Sequence, residues 1–184
     1  MTFSIQPVLE NERIILQPLA ESDFDVLFNA ASDQKIWEQH PQKDRWKKEV
    51  FQSFFESAIQ SGGAFKIIDK DTGDVIGSTR FFDYDAAENR IEIGYTFYAT
   101  RFWGTGINPS VKKLMMDYIF QYVDRVCFLV DSENYRSQIA VGRLGAAKVR
   151  EERAANGEPP RLNFVYEIKR SSNRPQAQSP SFKK

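Results

Sequence analysis

The residues best suited to hold an anion stand near the middle of the chain. Arg101, Gly104 and Gly106 form an Arg-x-x-Gly-x-Gly turn between a predicted strand and a strongly amphipathic helical pattern. Glycine lets the backbone approach a ligand closely, and the free N–H groups of a first helical turn point at that ligand. The arginine adds a charged fork that suits phosphate oxygens. The segment therefore predicts a site for a phosphorylated cofactor.

Two other phosphate-binding motifs fit this turn poorly. A P-loop closes on Gly-Lys-Ser/Thr, whereas Gly106 is followed by Ile107 and Asn108. A dinucleotide-binding fingerprint needs a third glycine near position 109, where this chain has Pro109. The turn alone is a weak signal, because many strand-to-helix connections carry glycine for geometry only. Its weight depends on the elements that position it.

The hydrophobic periodicity predicts a mixed α+β fold. Helical patterns cover about 22–31, 44–60, 107–123 and 134–145. Strand patterns cover 13–19, 64–69, 74–83, 90–99, 125–131, 147–154 and 162–170. The strand-helix-strand segment 90–131 should place two strands side by side and parallel.

The helix after the glycine turn has the clearest pattern. Its apolar residues form one stripe, made of Ile107, Val111, Leu114, Met115, Tyr118, Ile119, Tyr122 and Val123. Lys112 and Lys113 lie off that stripe. Asn108 followed by Pro109 predicts an N-cap and a first helical residue.

Length and composition predict one intracellular domain. The 184 residues suit a single domain over 1–170 and a polar tail over 171–184 that we expect to be disordered. Lys plus Arg (25) equals Asp plus Glu (25), so no net field attracts nucleic acid or an anionic membrane. The lone Cys127 cannot form an intramolecular disulfide, which favours a reducing cytoplasm. No apolar stretch has transmembrane length, and no Cys/His cluster indicates a metal.

Several features then coincide in one order. Strand RIEIGY, the glycine turn, the amphipathic helix and the apolar strand ending at Asp131 are followed by Asn134-x-x-Ser137 and a helix ending at Leu144-Gly-Ala146. This order resembles the GNAT superfamily of acyl-CoA-dependent N-acetyltransferases over roughly residues 8–170. The segments ENERIILQPLAESDFDVLF and DTGDVIGSTRFFD are most similar to the ribosomal-protein-alanine acetyltransferase branch. The resemblance implies a mostly antiparallel sheet of six to seven strands, flanked by helices, whose parallel fourth and fifth strands splay apart.

The resemblance also implies acetyl-CoA as the co-substrate, with no metal. Main-chain amides of the glycine turn would hold its pyrophosphate, and pantetheine would lie in the splayed gap as an added strand does. The residues placed at the cofactor are Thr96, Phe97, Tyr98, Arg101, Phe102, Trp103, Gly104, Thr105, Gly106, Ile107, Asn134 and Ser137. For Asn134 a simple helix cap is the alternative.

The implied reaction is direct attack of a neutral amine on the acyl thioester. An α-amine is on the order of 10% neutral at pH 7, against roughly 0.04% for lysine, which favours a protein N-terminal α-amine as acceptor. Glu92 is the candidate general base; an ion pair with Arg80 or Arg90 is the alternative. On a regular strand Glu92 shares a face with Thr96 and Tyr98.

Two further groups would complete the chemistry. The main-chain amide of Phe97 or Tyr98 is the candidate oxyanion donor. Ser137 is the candidate acid for the departing thiolate, with an ordinary helix-surface hydroxyl as the alternative. Val141 stands where many members of the superfamily carry a tyrosine that protonates the thiolate. His40, between the first two helices, is either a substrate contact or a solvated loop residue.

Three other functions stay open at this point. The chain could be a small-molecule amine acetyltransferase, a catalytically impaired acyl-CoA-binding regulatory module, or a nucleotide-binding protein that uses the same turn. Neither the acceptor nor the oligomeric state, monomer or homodimer, can be read from the sequence.

Overall fold

The structure is a computed structural model and describes residues 3–153 and 161–171. The strands are β1 (Leu9–Glu10), β2 (Ile14–Pro18), β3 (Ala64–Asp69), β4 (Val75–Asp85), β5 (Arg90–Tyr98), β6 (Arg125–Asp131), β7 (Ala147–Arg153) and β8 (Leu162–Lys169). The α-helices are α1 (Phe24–Ala31), α2 (Lys48–Gln60), α3 (Ile107–Ile119) and α4 (Tyr135–Gly142). The predicted mixed fold is confirmed.

All eight strands join one sheet in the order β1-β2-β3-β4-β5-β6-β8-β7. Within the described ranges every neighbouring pair is antiparallel except β5 and β6. The prediction of six to seven strands was wrong by one. The extra strand, β1, has two residues, too few for a periodic pattern to show.

The parallel pair separates soon after it begins. β5 and β6 are paired only from Arg90 opposite Arg125 to Glu92 opposite Cys127. Beyond that point β6 keeps its pairing with β8 along its whole length, while β5 keeps its pairing with β4. The edge of β5 after Glu92 therefore faces a gap instead of a strand, as predicted for the splayed pair.

The sheet carries a separate apolar cluster on each face. On the face covered by α3, which we call the α3 face, Ile91 and Ile93 pack in one cluster with Val111 and Met115 of the helix. On the opposite face, the α1–α2 face, phenylalanines of α2 pack in a second cluster with Phe97. Ile91 and Ile93 of β5 are thus assigned to the α3 face and Phe97 to the α1–α2 face.

A bulge in β5 changes that assignment from the regular pattern. Tyr95 has φ +51°, and the register with β4 steps from Arg80 opposite Gly94 to Ser78 opposite Phe97, which inserts one extra residue. Tyr98 therefore joins the α3-face cluster. The prediction that Glu92 shares a face with Thr96 and Tyr98 was wrong, because it assumed an unbroken alternation.

Three sequence predictions concern the C-terminal tail, the lone cysteine and membrane-spanning helices. The predicted disordered tail, 171–184, lies outside the described residues apart from Ser171. Cys127 is fully buried, with a free thiol. In the part of the chain that the structure describes, no helix is long and apolar enough to cross a membrane.

Candidate active site

The glycine turn forms a bent entry into α3. Gly106 is the N-cap of the helix with φ +82°, and Gly104 has φ +75°, a backbone region that residues with a Cβ rarely adopt. A Cβ built on either glycine would meet nothing within 4 Å, so the space above the turn is open. The predicted N-cap at Asn108 was wrong: Asn108 is the second helical residue, and its side-chain oxygen accepts the Tyr98 hydroxyl at 3.1 Å.

The turn leaves several main-chain donors free. Among the described residues no acceptor bonds the amides of Gly104, Gly106, Ile107 or Asn108, whereas those of Phe102 and Trp103 close local turns. Pro109 has no N–H to contribute. The free donors converge at the positive end of a 13-residue helix, which favours a phosphate group there.

Arg101 points away from these donors in this structure. Its guanidinium bonds the Asp74 carboxylate at 2.8 Å, and both side chains are more than half exposed. The Arg101 guanidinium also lies 4.9 Å from the Phe102 ring centre. Contact between Arg101 and a phosphate would require an exchange of one exposed anion for another, which costs little.

Trp103 ties the turn to the end of β5 and to α4. Its indole N–H donates to the Tyr98 carbonyl at 3.1 Å. The Arg136 guanidinium stacks 4.3 Å from the Trp103 ring centre and donates to the Ile36 carbonyl at 2.8 Å. Arg136 thereby joins the glycine turn to the segment between α1 and α2, a role that its sequence position did not suggest.

The start of α4 lies across the gap from β5. Asn134 is the N-cap, and its side-chain oxygen accepts the Ser137 amide at 3.1 Å. Asn134 is thus a helix cap, as the alternative prediction held. Its side-chain amide nitrogen has no acceptor among the described residues and could donate to a ligand. The Ser137 hydroxyl likewise has no partner in residues 3–153 and 161–171. Val141 is buried and carries no group that could donate a proton.

Lys112 is buried although it lies off the apolar stripe of α3. It is 4% exposed, and its ammonium nitrogen donates to Thr96 Oγ1 at 2.6 Å and to Thr79 Oγ1 at 3.2 Å. Burial lowers the pKa of Lys112 to about 7. By contrast, the Lys113 side chain is 73% exposed. Lys112 therefore fixes the side chain of Thr96 beside the bulge.

Glu92 is buried at the point where β5 and β6 part. It is 7% exposed, its Oε1 lies 3.3 Å from Arg90 Nη1, and its Oε2 has no partner among the described residues. Desolvation, reinforced by the charge of Asp83 and opposed by Arg90, raises the Glu92 pKa to about 7. The ion pair with Arg90 foreseen as an alternative is present, and it does not return the Glu92 pKa to its ordinary value.

The α1–α2 face adds Arg45 and Phe54, which the sequence pattern did not single out as site residues, and Arg80, which it offered only as an ion-pair partner of Glu92. Trp37 and Phe54 pack near Phe97 of β5, and Arg45 and Arg80 lie beside them with their guanidinium groups buried. These residues come from three distant parts of the chain, so no spacing could have revealed them. No group of three or more His, Cys, Asp or Glu within the described ranges could hold a metal ion.

The comparisons with known proteins agree with this architecture. The sequence matches the family described as "Acetyltransferase (GNAT) domain" over residues 13–147. The "Uncharacterized N-acetyltransferase YoaA" of Bacillus subtilis (strain 168) is 24% identical in an alignment of 172 residues that covers 88% of this chain and 96% of that protein.

Solved structures share the fold. A GCN5-related N-acetyltransferase from Brucella melitensis superposes with a TM-score of 0.80 at 22% identity, over 89% of this chain and 79% of its own. A ribosomal-protein-S5-alanine acetyltransferase from Vibrio fischeri superposes with a TM-score of 0.67 at 15% identity, over 92% of this chain and 100% of its own. The match to the family spans well over half of the sequence, and the chain belongs to the GNAT acetyltransferase family.

Proposed function

We propose that this GNAT acetyltransferase transfers an acetyl group from acetyl-CoA to a primary amine, with a protein N-terminal α-amine as the favoured acceptor. The observation that carries the proposal is that two features lie together at the β5–β6 pair, in the middle of the sheet. The gap between β5 and β6 begins after Glu92, and the free amides of the glycine turn lie at the start of the helix that connects the two strands.

The cofactor would be held mainly by main-chain atoms. The amides of Gly104, Gly106, Ile107 and Asn108 would bind the pyrophosphate, because they lack acceptors within the described part of the chain. The unpaired edge of β5 would bond the pantetheine arm in the manner of an added strand. When bound, acetyl-CoA supplies the activated acetyl thioester.

Of the two candidate oxyanion donors, the geometry favours the Tyr98 amide over the Phe97 amide. The Tyr98 carbonyl accepts the Trp103 indole N–H and so faces away from β4. In an extended strand the N–H and C=O of one residue point to the same side, which turns the Tyr98 amide toward the gap. A preorganised donor there would stabilise charge on the acetyl oxygen by about 3–4 kcal/mol.

Glu92 would act as the general base, directly or through one water. Its buried Oε2 lacks a partner within the described ranges, and an N–H of the attacking neutral amine would supply one. In the reaction the amine nitrogen forms a bond to the acetyl carbon, the carbon–sulfur bond breaks, and Glu92 takes the proton that the nitrogen loses. Ser137 would pass a proton to the departing thiolate and take one back from solvent, since Val141 has no proton to give.

An N-terminal α-amine as acceptor is supported by two considerations. Its pKa leaves on the order of 10% neutral at pH 7, so one carboxylate of matched pKa suffices as base. The opening segment is similar to the ribosomal-protein-alanine branch, and the fold matches an S5-alanine acetyltransferase.

Release of free thiol tests the proposal. The protein is incubated with acetyl-CoA and pooled peptides with free α-amines, and the thiol is measured against N-acetylated copies of the same peptides. Thiol release that depends on a free α-amine, with acetylated peptide found by mass spectrometry, is expected. Thiol release only with small amines would move the acceptor to that class.

One observation favours a second candidate, an acyl-CoA-binding module without turnover. Val141 is buried in the α3-face cluster, so the position that would carry a tyrosine offers no proton. Stabilisation by coenzyme A without thiol release across a broad amine panel would support that candidate and reject catalysis.

A further inference from the structure

Two arginines on the α1–α2 face are buried without an acidic partner. Arg45 is 8% exposed and Arg80 is 3% exposed, and neither pairs with a carboxylate in the part of the chain that the structure describes. Their guanidinium carbons lie 4.7 and 5.8 Å from the centre of the same Phe54 ring. Desolvation lowers the pKa of both groups, that of Arg45 to about 10, and Arg80 adds to the effect on Arg45.

Arg80 has few acceptors for its five N–H bonds. Nη1 donates to the carbonyl and hydroxyl oxygens of Ser57 at 3.3 and 3.4 Å, both long contacts. Nε and Nη2 are buried and have no partner within residues 3–153 and 161–171. The Tyr95 ring lies 4.1 Å from the Arg80 guanidinium carbon and covers the group.

Arg45 also has few acceptors. Nε donates to Gln42 Oε1 at 2.9 Å, and Nη1 lies 3.1 Å from His40 Nε2. His40 Nδ1 already accepts the Gln42 amide at 2.9 Å. A neutral imidazole has one acceptor nitrogen, so His40 Nε2 then carries the proton and cannot accept from Arg45. Burial and the Arg45 charge lower the His40 pKa to about 3, which keeps the ring neutral.

The Arg80 guanidinium lies on the face of β5 that carries Glu92, and the Arg45 guanidinium contacts the same Phe54 ring as Arg80. Arg80 is opposite Gly94 in the β4–β5 ladder, one position before the bulge at Tyr95. Glu92 is on the same face, since its neighbours Ile91 and Ile93 join the opposite cluster. An acceptor whose nitrogen approaches Glu92 from this face would therefore meet the arginines.

We propose that Arg45 and Arg80 bind a carboxylate of the acceptor, so that the enzyme prefers amines that carry a carboxylate nearby. The inference rests on the proposed function, which supplies the premise that the ligand is the amine acceptor. A carboxylate offers the several acceptor sites that the two forks lack, and pairing would remove most of the penalty of burying their charges. The carboxylate could be a free C-terminus of a short peptide or an acidic side chain next to a protein N-terminus.

The structure argues against a polyamine as the acceptor. A cationic chain would approach two uncompensated buried positive charges, and like charges in a desolvated site repel strongly. The Tyr95 ring lies over Arg80, and Tyr95 is 44% exposed. A carboxylate that arrives from solvent would therefore contact Arg45 before Arg80.

Matched acceptor pairs test the proposal and separate the two carboxylate sources. The first pair is alanyl-alanine and alanyl-alaninamide; the second is a C-terminally amidated peptide beginning Ala-Glu and its Ala-Gln counterpart. Values of kcat/KM with acetyl-CoA should favour the carboxylate member of at least one pair by on the order of 30-fold or more. The pair that discriminates identifies the source.

Three variants locate the effect. Arg45→Gln should bring the preference close to unity, whereas Lys43→Gln, which removes an exposed charge from the same loop, should keep it. Arg80→Met should also reduce the preference and should raise or leave unchanged the melting temperature, since it removes a poorly compensated buried charge. A purely structural arginine would instead lower the melting temperature without changing the preference. If Arg45→Gln does not fold, Arg80→Met and the wild-type pairs decide the question.

Binding of the same dipeptides without acetyl-CoA, measured by calorimetry, separates this inference from the proposed function. One outcome is that no acceptor releases thiol but alanyl-alanine binds the wild type and not Arg45→Gln. This result would support the carboxylate site and reject the proposed acetyl transfer. Equal kcat/KM within both pairs overturns the carboxylate site. So does the absence of both turnover and selective dipeptide binding.

Discussion

The turn before α3 and the arginine cluster on the α1–α2 face both contain N–H donors without acceptors among the described residues. The donors of the two regions are different atoms. The turn offers main-chain N–H groups of consecutive residues, shaped by Gly104 and Gly106. The cluster offers side chains from residues as far apart as Arg45 and Arg80, held by aromatic rings. The first kind of site depends on backbone conformation and the second on side-chain packing. Substitution of a glycine should therefore weaken the first site, and substitution of an arginine should weaken the second.

Replacement of Glu92, which lies where β5 and β6 part, should have the largest effect. As the proposed general base, Glu92 should contribute on the order of 100-fold or more, so Glu92→Gln should lower kcat/KM by at least that factor. In the wild type kcat/KM should rise as the pH passes about 7, where Glu92 loses its proton, and the variant should lack this step. Glu88→Gln, an exposed change in the same hairpin, is the control and should leave the pH profile unchanged.

Glu92→Gln should also change the pH dependence of stability. The folded-state pKa of Glu92 is raised from 4.5 to about 7, so its neutral form is favoured in the fold. The associated stability is fully present below about pH 4.5 and is lost as the pH rises through about 7. Because glutamine stays neutral, the variant should melt above the wild type at pH 8 and close to it at pH 4. A lower melting temperature at pH 8 would show a structural carboxylate.

A β-branched residue at Gly106 should disable the main-chain cradle. A φ of +82° costs such a residue about 1–3 kcal/mol, and its relaxation would move the free amides. Gly106→Val should weaken coenzyme A binding by on the order of 30-fold, as measured by calorimetry. Gly62→Val is the matched control, because Gly62 has φ +61° and equally open space. It should lose stability and keep its affinity.

Lys112→Met should give a pH-dependent gain in stability on the α3 face. Burial lowers the Lys112 pKa from 10.5 to about 7, so the charged form is disfavoured in the fold; its cost is greatest below pH 7 and is relieved as the pH rises toward 10.5. The variant should therefore gain more in melting temperature at pH 6 than at pH 10, by a few degrees (roughly 2–4 °C per kcal/mol). The exposed Lys113→Met should show no such difference.

The smallest effect is expected at Arg101. Its ion pair with Asp74 is exposed, and such pairs contribute about 0–1 kcal/mol. Arg101→Ala should weaken coenzyme A binding by less than about fivefold, and the loss should shrink in high salt. A loss as large as that of Gly106→Val would mean that side chains, and not the main chain, hold the pyrophosphate.

The same contrast explains what the sequence could predict. The glycine turn, α3 and the parallel crossover are local patterns, and all three are present, although α3 has Gly106 instead of Asn108 as its N-cap and ends at Ile119 instead of 123. The bulge at Tyr95 breaks the two-residue alternation without a glycine at that position, so the faces of Thr96 and Tyr98 were assigned wrongly. Lys112 lies at a polar position of its helix and is buried only because Thr79 and Thr96 meet it from two strands.

A crystal structure of the protein with coenzyme A would show directly whether the main chain of the glycine turn holds the cofactor. We expect pyrophosphate oxygens within about 3.2 Å of the amide nitrogens of Gly104, Gly106, Ile107 or Asn108, and the pantetheine arm along the unpaired edge of β5. A pyrophosphate bound anywhere else, or an empty turn at a coenzyme A concentration that saturates binding in solution, would contradict this expectation.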